Sequence, residues 1–373
     1  MQARDVVIIG GGISGLGVAL EAARRGLSTL IIERNTCATA TSNNTLRIIH
    51  GGFRYLQNGD LPRVIQSLCD QRDLLRELPE LIKPFPCLMP LNRFGLKSQI
   101  PVSCAALMYG AFMKLYRSPL SAPRIVSARF VDAEVPLLCK RAPHGALLWH
   151  DALMTNPLQV AAYLIEKLSQ HNTTILEHTS AISVAKSSSG FLSVRSNSGE
   201  LFEARAVVST LGPWVGTVQL SSELQPGPRP LWCKGFNLII NRQLDPRYGI
   251  GFESRDGRLF FCTPRDQGTA IGTWYLPYAD DPSTVSATQS DITNFLDAFN
   301  QAVPGASISP TEVVALDVGV LPMTGISPRG PKLQAHETIT NHQNFIEVIS
   351  TKYTTFRSQG QRVVRAIGAA AVR

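Results

Sequence analysis

The chain has 373 residues, 44% of them hydrophobic, with a net charge of +8 and a pI of about 9.2, enough apolar material for one large core or two domains. The basic balance suits anionic ligands or an anionic membrane surface, and without a dense Lys/Arg stripe carrying interleaved aromatics nucleic acid is not an expected partner. The cysteines (37, 69, 87, 104, 139, 233 and 262) are odd in number and form no C-x-x-C pair, which excludes a disulfide framework or a metal site of that spacing and predicts reduced thiols in a cytoplasmic protein.

The first strand is expected almost at once, so no signal peptide is expected, and no apolar run reaches the ~20 residues of a membrane span. Val6 to Ile9 reads as a strand buried on both faces. It leads into Gly10-Gly11-Gly12-Ile13-Ser14-Gly15, which fits G-x-G-x-x-G. A helix follows, with Ile13, Leu16, Leu20 and Ala23 on one face and Gly26 at its C′ position. A second strand, Ser28 to Ile32, ends in Glu33. Each glycine suits a separate demand. Gly10 permits the tight turn, Gly12 the approach of a pyrophosphate, and Gly15 close packing of helix on strand. The helix start offers N–H groups to phosphate, and Glu33 can accept from both ribose hydroxyls. A carboxylate there disfavours a 2′-phosphate, so NAD or FAD is expected rather than NADP.

Residues 34–58 then break the alternation of strand and helix. A Thr/Ser/Asn-rich loop runs into Arg47-Ile-Ile-His50-Gly51-Gly52-Phe53-Arg54-Tyr55, whose paired glycines suggest backbone passing close to a flat ligand. Asp60 to Leu78 predicts a helix with Asp60 as N-cap and Pro62 in the first turn. Ser103 to Arg117 is apolar with basic flanks (Lys97, Lys114, Arg117, Arg124), and residues 97–124 are a candidate for peripheral contact with a membrane. Asp151 is expected to open another helix, with Asn156 as N-cap and Pro157 at N1. Strands at 181–185, 191–195 and 201–208 form a β-meander that ends in Ser209-Thr-Leu-Gly212-Pro-Trp214. Strand-like runs at 236–240, 258–263, 269–273 and 312–320, with a helix at 291–301, read as a second mixed or antiparallel sheet. A strand at 345–350 and a helix from Thr354 close the chain, joined by Lys352-Tyr-Thr-Thr-Phe-Arg357.

GGGISGLG, the acid Glu33, ATSNNTLRIIHGGFRYL and TKYTTFR together resemble the FAD-dependent glycerol-3-phosphate dehydrogenases, within the flavoproteins built like D-amino-acid oxidase. The resemblance runs from Met1 to about residue 365 and is strongest in the first 60 residues. It implies an α/β fold: a Rossmann-like FAD-binding domain with a β-meander (1–78, 145–222 and 334–373) and a substrate domain with an antiparallel or mixed sheet (79–144 and 223–333). It implies FAD held by Gly10, Gly12, Ile13, Ser14, Gly15 and Glu33, with Arg34, Thr41, Ser42 and Arg47 beyond the strand. His50 and Gly51 would pack near the flavin, Ile182 near adenine, and Gly212 and Trp214 near the pyrophosphate. Lys352, Thr354 and Thr355 would face the flavin from the last helix, whose N–H groups stabilise charge on the reduced ring.

The implied reaction passes hydride to flavin N5 from a C–H beside a hydroxyl or amine of a small polar, anionic substrate. His50, Arg54, Tyr55 and Lys352 are the catalytic candidates, and quinone or oxygen is the electron acceptor. A peripheral place at the inner face of a membrane accompanies that reading. Three positions depart from the family pattern. Asn237 stands where a histidine follows the Lys234-Gly235 pair, Leu321 stands for the arginine of G-V-R-P, and Ser350-Thr351 replaces a glycine pair. Thr210-Leu211-Gly212 stands where the family reads Ala-Thr-Gly. The departures keep two alternatives open, an amine, amino-acid or hydroxy-acid oxidase and a non-catalytic flavin-binding assembly or interaction factor.

Overall fold

A computed structural model describes residues 3–138, 141–254, 257–303, 305–328 and 330–371. Cys139 and Met1 lie outside the described residues. The chain runs β1 (Arg4–Ile9), α1 (Ile13–Arg24), β2 (Thr29–Ile32), β3 (Ile48–Ile49), α2 (Leu61–Glu77), β4 (Ile82–Pro90), α3 (Gln99–Leu115), β5 (Arg124–Val126), α4 (Ala128–Glu134), β6 (Ala146–Met154), α5 (Pro157–Ser169) and β7 (Thr173–Leu176). It continues through β8 (Ala181–Lys186), β9 (Leu192–Ser196), β10 (Leu201–Ser209), β11 (Gln219–Leu220), β12 (Leu231–Ile240), β13 (Gly249–Glu253), β14 (Leu259–Arg265), β15 (Gly268–Pro277), α6 (Gln289–Ala302), β16 (Val313–Ser327), β17 (Gly330–Leu333), β18 (Thr338–His342), β19 (Phe345–Ile349) and α7 (Phe356–Ala371).

These strands form two sheets. In the nine-stranded sheet β10, β1, β2 and β7 lie side by side and parallel, with Val6 opposite both Ala206 and Thr29. The meander β8–β9–β10 feeds it antiparallel, and β19 joins β10 parallel. Val6, Val7, Ile8 and Ile9 are all buried, as a parallel strand covered on both faces requires. α1 is buried nearly all round rather than along one face, because α7 crosses it at contact distance. A Cβ on Gly17 would lie 2.5 Å from the Phe356 carbonyl oxygen, and one on Gly360 2.4 Å from that of Gly17. The expected caps form: Asp60 accepts from the Arg63 N–H at 3.2 Å, and Asn156 from the Leu158 N–H at 2.9 Å. Gly26 ends α1 at φ +75°.

The ten-stranded sheet runs β17-β16-β12-β15-β14-β13-β4-β6-β3 with β5 beside β6, and α6 packs Phe295 and Phe299 into its core. One expectation is corrected here. Asp151 does not open a helix: it lies within β6, which pairs with β4 from Ile82↔Met154 to Pro90↔Ala146. The apolar run before Asn156 is therefore strand, and the helix starts only at Pro157, where the missing N–H costs nothing. β6 and β3 both belong to the second sheet. The last helix begins at Phe356, two residues later than expected. Among the described residues no helix is long and apolar enough to cross a membrane.

Candidate active site

A cavity of about 820 Å³ lies between the two sheets. Its first wall is the loop after β1. Gly10 sits at φ +106°, a conformation that favours glycine, and a Cβ on it would lie 2.8 Å from the Thr210 carbonyl oxygen. A Cβ on Gly15 would lie 2.0 Å from the Gly10 carbonyl oxygen, so only glycine lets α1 descend this closely on the strand. Thr210 locks the turn from β10, its hydroxyl donating to the Gly10 carbonyl at 2.8 Å. Gly12, Ile13 and Ser14, at the start of α1, line the cavity.

Glu33 ends β2 with both carboxylate oxygens engaged, Oε2 by the Gly11 N–H at 2.7 Å and Oε1 by the Asn35 N–H at 2.9 Å. These bonds orient the carboxylate while leaving further lone pairs for hydroxyl donors. Ser42 accepts from the Ile13 N–H at 3.0 Å, and Thr41 accepts from the Val320 N–H at 3.3 Å, tying the polar loop to β16. At the far end the Arg34 guanidinium stacks 4.1 Å from the Trp214 ring centre, and both reach the Ser283 hydroxyl. Ile182 is open to the same end, and Gly212 turns at φ +56°. Arg47, at φ +63°, donates to the Thr155 carbonyl at 2.6 Å.

The opposite end is built from the His50 to Tyr55 run, α7 and the second sheet. A buried carboxylate that sequence reasoning missed holds the run in place. Asp151 Oδ1 accepts from the Gly51 N–H at 2.8 Å and from Gln71 Nε2 at 3.2 Å, while Oδ2 accepts from the Trp149 indole N–H at 2.9 Å. Gly51 admits no side chain, because a Cβ there would lie 2.2 Å from the Tyr109 hydroxyl. Two cations approach the Tyr55 ring, Lys352 Nζ and the Arg63 guanidinium, each 4.1 Å from its centre. Burial, and then Arg63, pulls the Lys352 ammonium down to about 7, against Glu337, Asp60 and Asp70.

His50 lines the cavity and is exposed to it. Burial lowers its pKa, Asp151 opposes, and Lys352, Arg54 and Arg63 add to the lowering. Burial raises Tyr55. Arg54 lines the cavity and, among the described residues, has no hydrogen-bond or ion-pair partner. From the second sheet come Asn237, which accepts from the Thr273 hydroxyl at 2.9 Å, together with Tyr275 and Leu321. Lys234 is turned away from the cavity and paired with Asp291 at 2.7 Å.

The profile of the DAO family, described as FAD dependent oxidoreductase, matches residues 5–347. The chain belongs to this family of FAD-dependent oxidoreductases. It is 25% identical to the aerobic glycerol-3-phosphate dehydrogenase of Staphylococcus haemolyticus, over 96% of this chain and 66% of that protein. It is 27% identical to glycerol-3-phosphate dehydrogenase 1 of Mycobacterium tuberculosis, over 98% of this chain and 73% of that one. The solved glycerol-3-phosphate dehydrogenase of Bacillus halodurans, complexed with FAD, shares the fold at a TM-score of 0.74 and 20% identity, covering 99% of this chain and 65% of its own. The chain thus spans 66% of the length of the staphylococcal relative.

The residues present fit the cofactor of this FAD-dependent family. The glycine loop is cleared of side chains where a pyrophosphate must pass, and the strand-end carboxylate is preset by two N–H bonds. Most of the residues singled out from sequence line the one cavity, from Gly10 to Thr354. Gly15, Gly51 and Thr355 do not; they stand behind the lining, and Thr355 is buried. Besides Asp151, the sequence reading passed over Thr210, Tyr275 and Gln359. Gln359 is fully buried on α7 and accepts from the Ser14 hydroxyl, joining the two helices behind the glycine loop. A lone Asp, Thr or Gln carries no local signal of such a role; its partner is distant in sequence.

Proposed function

We propose that the chain oxidises a small anionic substrate at a carbon bearing a hydroxyl or amine, with FAD held between the two sheets. The observation that carries this is Arg54, a cationic group free of protein partners among the described residues, in the same cavity as Tyr55 and Lys352. A guanidinium in that state is suited to grip a carboxylate or phosphate through two N–H bonds. When bound, FAD supplies the two-electron acceptor.

In this reading Gly10, Gly12, Ile13 and Ser14 would hold the pyrophosphate, and Glu33 the ribose. Arg34, Trp214 and Ile182 would enclose the adenine end, and Thr41, Ser42 and Arg47 the middle. Thr354 would face the flavin from the turn before α7. The nine-stranded sheet with α1, α5 and α7 would form the cofactor domain, and the ten-stranded sheet the substrate domain.

In this reading Lys352 Nζ would take the O–H or N–H proton while the C–H electron pair would leave as hydride, the acceptor chemistry that FAD supplies when bound, and the product would be a carbonyl or imine. Lys352, with its proton affinity lowered to about pH 7, suits that step, and Asn237 cannot take a proton. Quinone or oxygen would serve as the final electron acceptor. Leu321 leaves the phosphate one charged contact short of the family pattern, so a carboxylate fits this site better than glycerol 3-phosphate.

The test is anaerobic. The FAD-loaded protein is mixed with glycerol 3-phosphate, 2-hydroxy acids and 2-amino acids, and loss of flavin absorbance is followed. Bleaching by any of these supports the reading, and a flavin that none of them reduces overturns it.

A membrane-side acceptor is favoured by one surface. Phe94, Leu96, Ile100, Leu107 and Leu115 are each at least 69% exposed on α3 and the loop before it, with Arg93, Lys114, Arg117 and Arg124 around them. Apolar side chains ringed by cations suit an anionic lipid surface. Cosedimentation with anionic but not neutral vesicles would support this contact, and equal failure with both would remove it.

A further inference from the structure

The face that the ten-stranded sheet turns to the cavity is divided. On β12 and β15 it carries Asn237, Thr273 and Tyr275. On β4, β6 and β14 it carries Met89, Leu147, Trp149 and Phe261. Trp149 presents only apolar surface, because Asp151 takes its indole N–H. Phe53, the residue before Arg54, stacks on Trp149 at 6.5 Å, and Trp149 meets Phe261 at 6.2 Å, so an aromatic run extends outward from beside the anion-binding arginine. Met89 and Trp149 rest on a small separate core of Leu91, Val102, Ala106 and Leu147, which fixes this wall.

Gly251 on β13 completes it. Phe252 packs into the sheet's other core, so residue 251 faces the cavity, opposite Phe261. A Cβ there would make ordinary contact with Phe261 at 3.5 Å and meet nothing closer, so an added carbon at this position is tolerated without a clash.

Met89, Trp149 and Phe261 are only partly buried, so apolar surface is left facing an enclosed space. A three-carbon polyol phosphate has no apolar surface to cover it. Resting on the reading above, we propose that the substrate is an amphiphilic anion: a carboxylate at Arg54, the oxidisable carbon beside it, and an apolar side chain lying over Gly251 against Met89, Trp149 and Phe261. The class is a medium-chain 2-hydroxy or 2-amino acid. Its C–H hydride goes to bound FAD and its O–H or N–H proton to Lys352, leaving the 2-oxo or 2-imino acid.

Anaerobic flavin bleaching is measured with straight-chain 2-hydroxy acids from lactate to 2-hydroxyoctanoate, the matching 2-amino acids, and glycerol 3-phosphate as the short reference. Rate constants at limiting substrate should rise about fourfold for each added methylene until the wall is filled. The variant Gly251→Leu, which puts a side chain in the path of the substrate's chain, should abolish the gain, so that the rate constant no longer rises with chain length. The native series does not depend on that variant folding, and Gly251→Ala should give a partial loss. Bleaching that is equally fast with short anions, or a gain that persists in Gly251→Leu, would overturn the apolar-chain inference and leave the oxidation reading standing. A flavin that no anion of any length reduces would remove both.

Discussion

At Gly10, Gly11 and Gly15 of the glycine loop an added Cβ would lie 2.8, 2.5 and 2.0 Å from a neighbouring atom, whereas one on Gly251, on the cavity face of the ten-stranded sheet, would meet nothing closer than Phe261 at 3.5 Å. In the proposed reading the first region would meet a cofactor of constant shape, and its backbone is pressed as close as sterics allow, so the residue type at each tight point is forced. The second region would meet the substrate, and there the cavity face carries side chains of different size and polarity on one sheet. The same glycine residue type therefore means different things in the two places: obligatory closeness at Gly15, and tolerance of an added carbon at Gly251.

Making one substitution in both regions is the sharpest way to break that contrast. Gly15→Ala puts a Cβ 2.0 Å from a backbone oxygen, so the helix must move. We expect it to cost about 3 kcal/mol or more and to abolish FAD retention, read as flavin absorbance per protein and as thermal midpoint. Gly251→Ala should leave both readings at their native values. A Gly15→Ala protein that keeps its flavin would show that the two regions do not differ as described.

The next effect is on substrate alone. Arg54→Met removes a charged hydrogen-bonding group worth about 1.5–3 kcal/mol to a bound anion, so kcat/KM should fall roughly 10- to 150-fold. Flavin content should be unchanged, and an equal loss of flavin would place Arg54 in the cofactor's region instead.

Lys352 joins the two regions, and its proton gives a pH readout. With a pKa of about 7 it should impose a break near pH 7 on the rate of flavin reduction, absent in Lys352→Met. The folded chain holds this proton more weakly than the unfolded chain, in which the pKa is near 10.5. Stability relative to Lys352→Met should therefore rise as pH increases from about 7 toward 10. Denaturant midpoints at pH 7 and 9.5 check the sign.

The smallest effect lies behind the cofactor wall. Asp70 is buried between α2 and α7, accepts from the Ser358 hydroxyl at 2.7 Å, and is raised to about 6, chiefly by burial. The folded chain binds this proton more tightly than the unfolded one, so the stability it contributes is full below about pH 4 and is lost as pH rises through 6. Asp70→Asn should become progressively more stable than the native chain between pH 4 and 6, with a constant difference above. A flat difference across that range would place the carboxylate in water.

The cradle was legible because its information is local. The strand, the three glycines, the helix and Glu33 lie within thirty consecutive residues, and each residue type answers a steric or hydrogen-bonding demand made by its neighbours in the chain. The caps at Asp60 and Asn156 were legible for the same reason. The His50 to Tyr55 run announced itself through its paired glycines, but not what holds it. That is Asp151, on a strand that the helix signals of Asn156 and Pro157 obscured. A hydrogen bond between residues 100 apart leaves no periodicity to read.

By itself, then, the sequence determined a βαβ unit with a glycine turn and a carboxylate at the strand end, because those depend on backbone conformations and charges set within a short segment. Only the tertiary structure decided that Lys352 and Arg63 both close on the Tyr55 ring, and that one wall of the cavity is polar while the other is aromatic. Those features depend on how strands from the two halves of the chain come into register, and strand pairing is settled by burial of the whole sheet rather than by any segment of it.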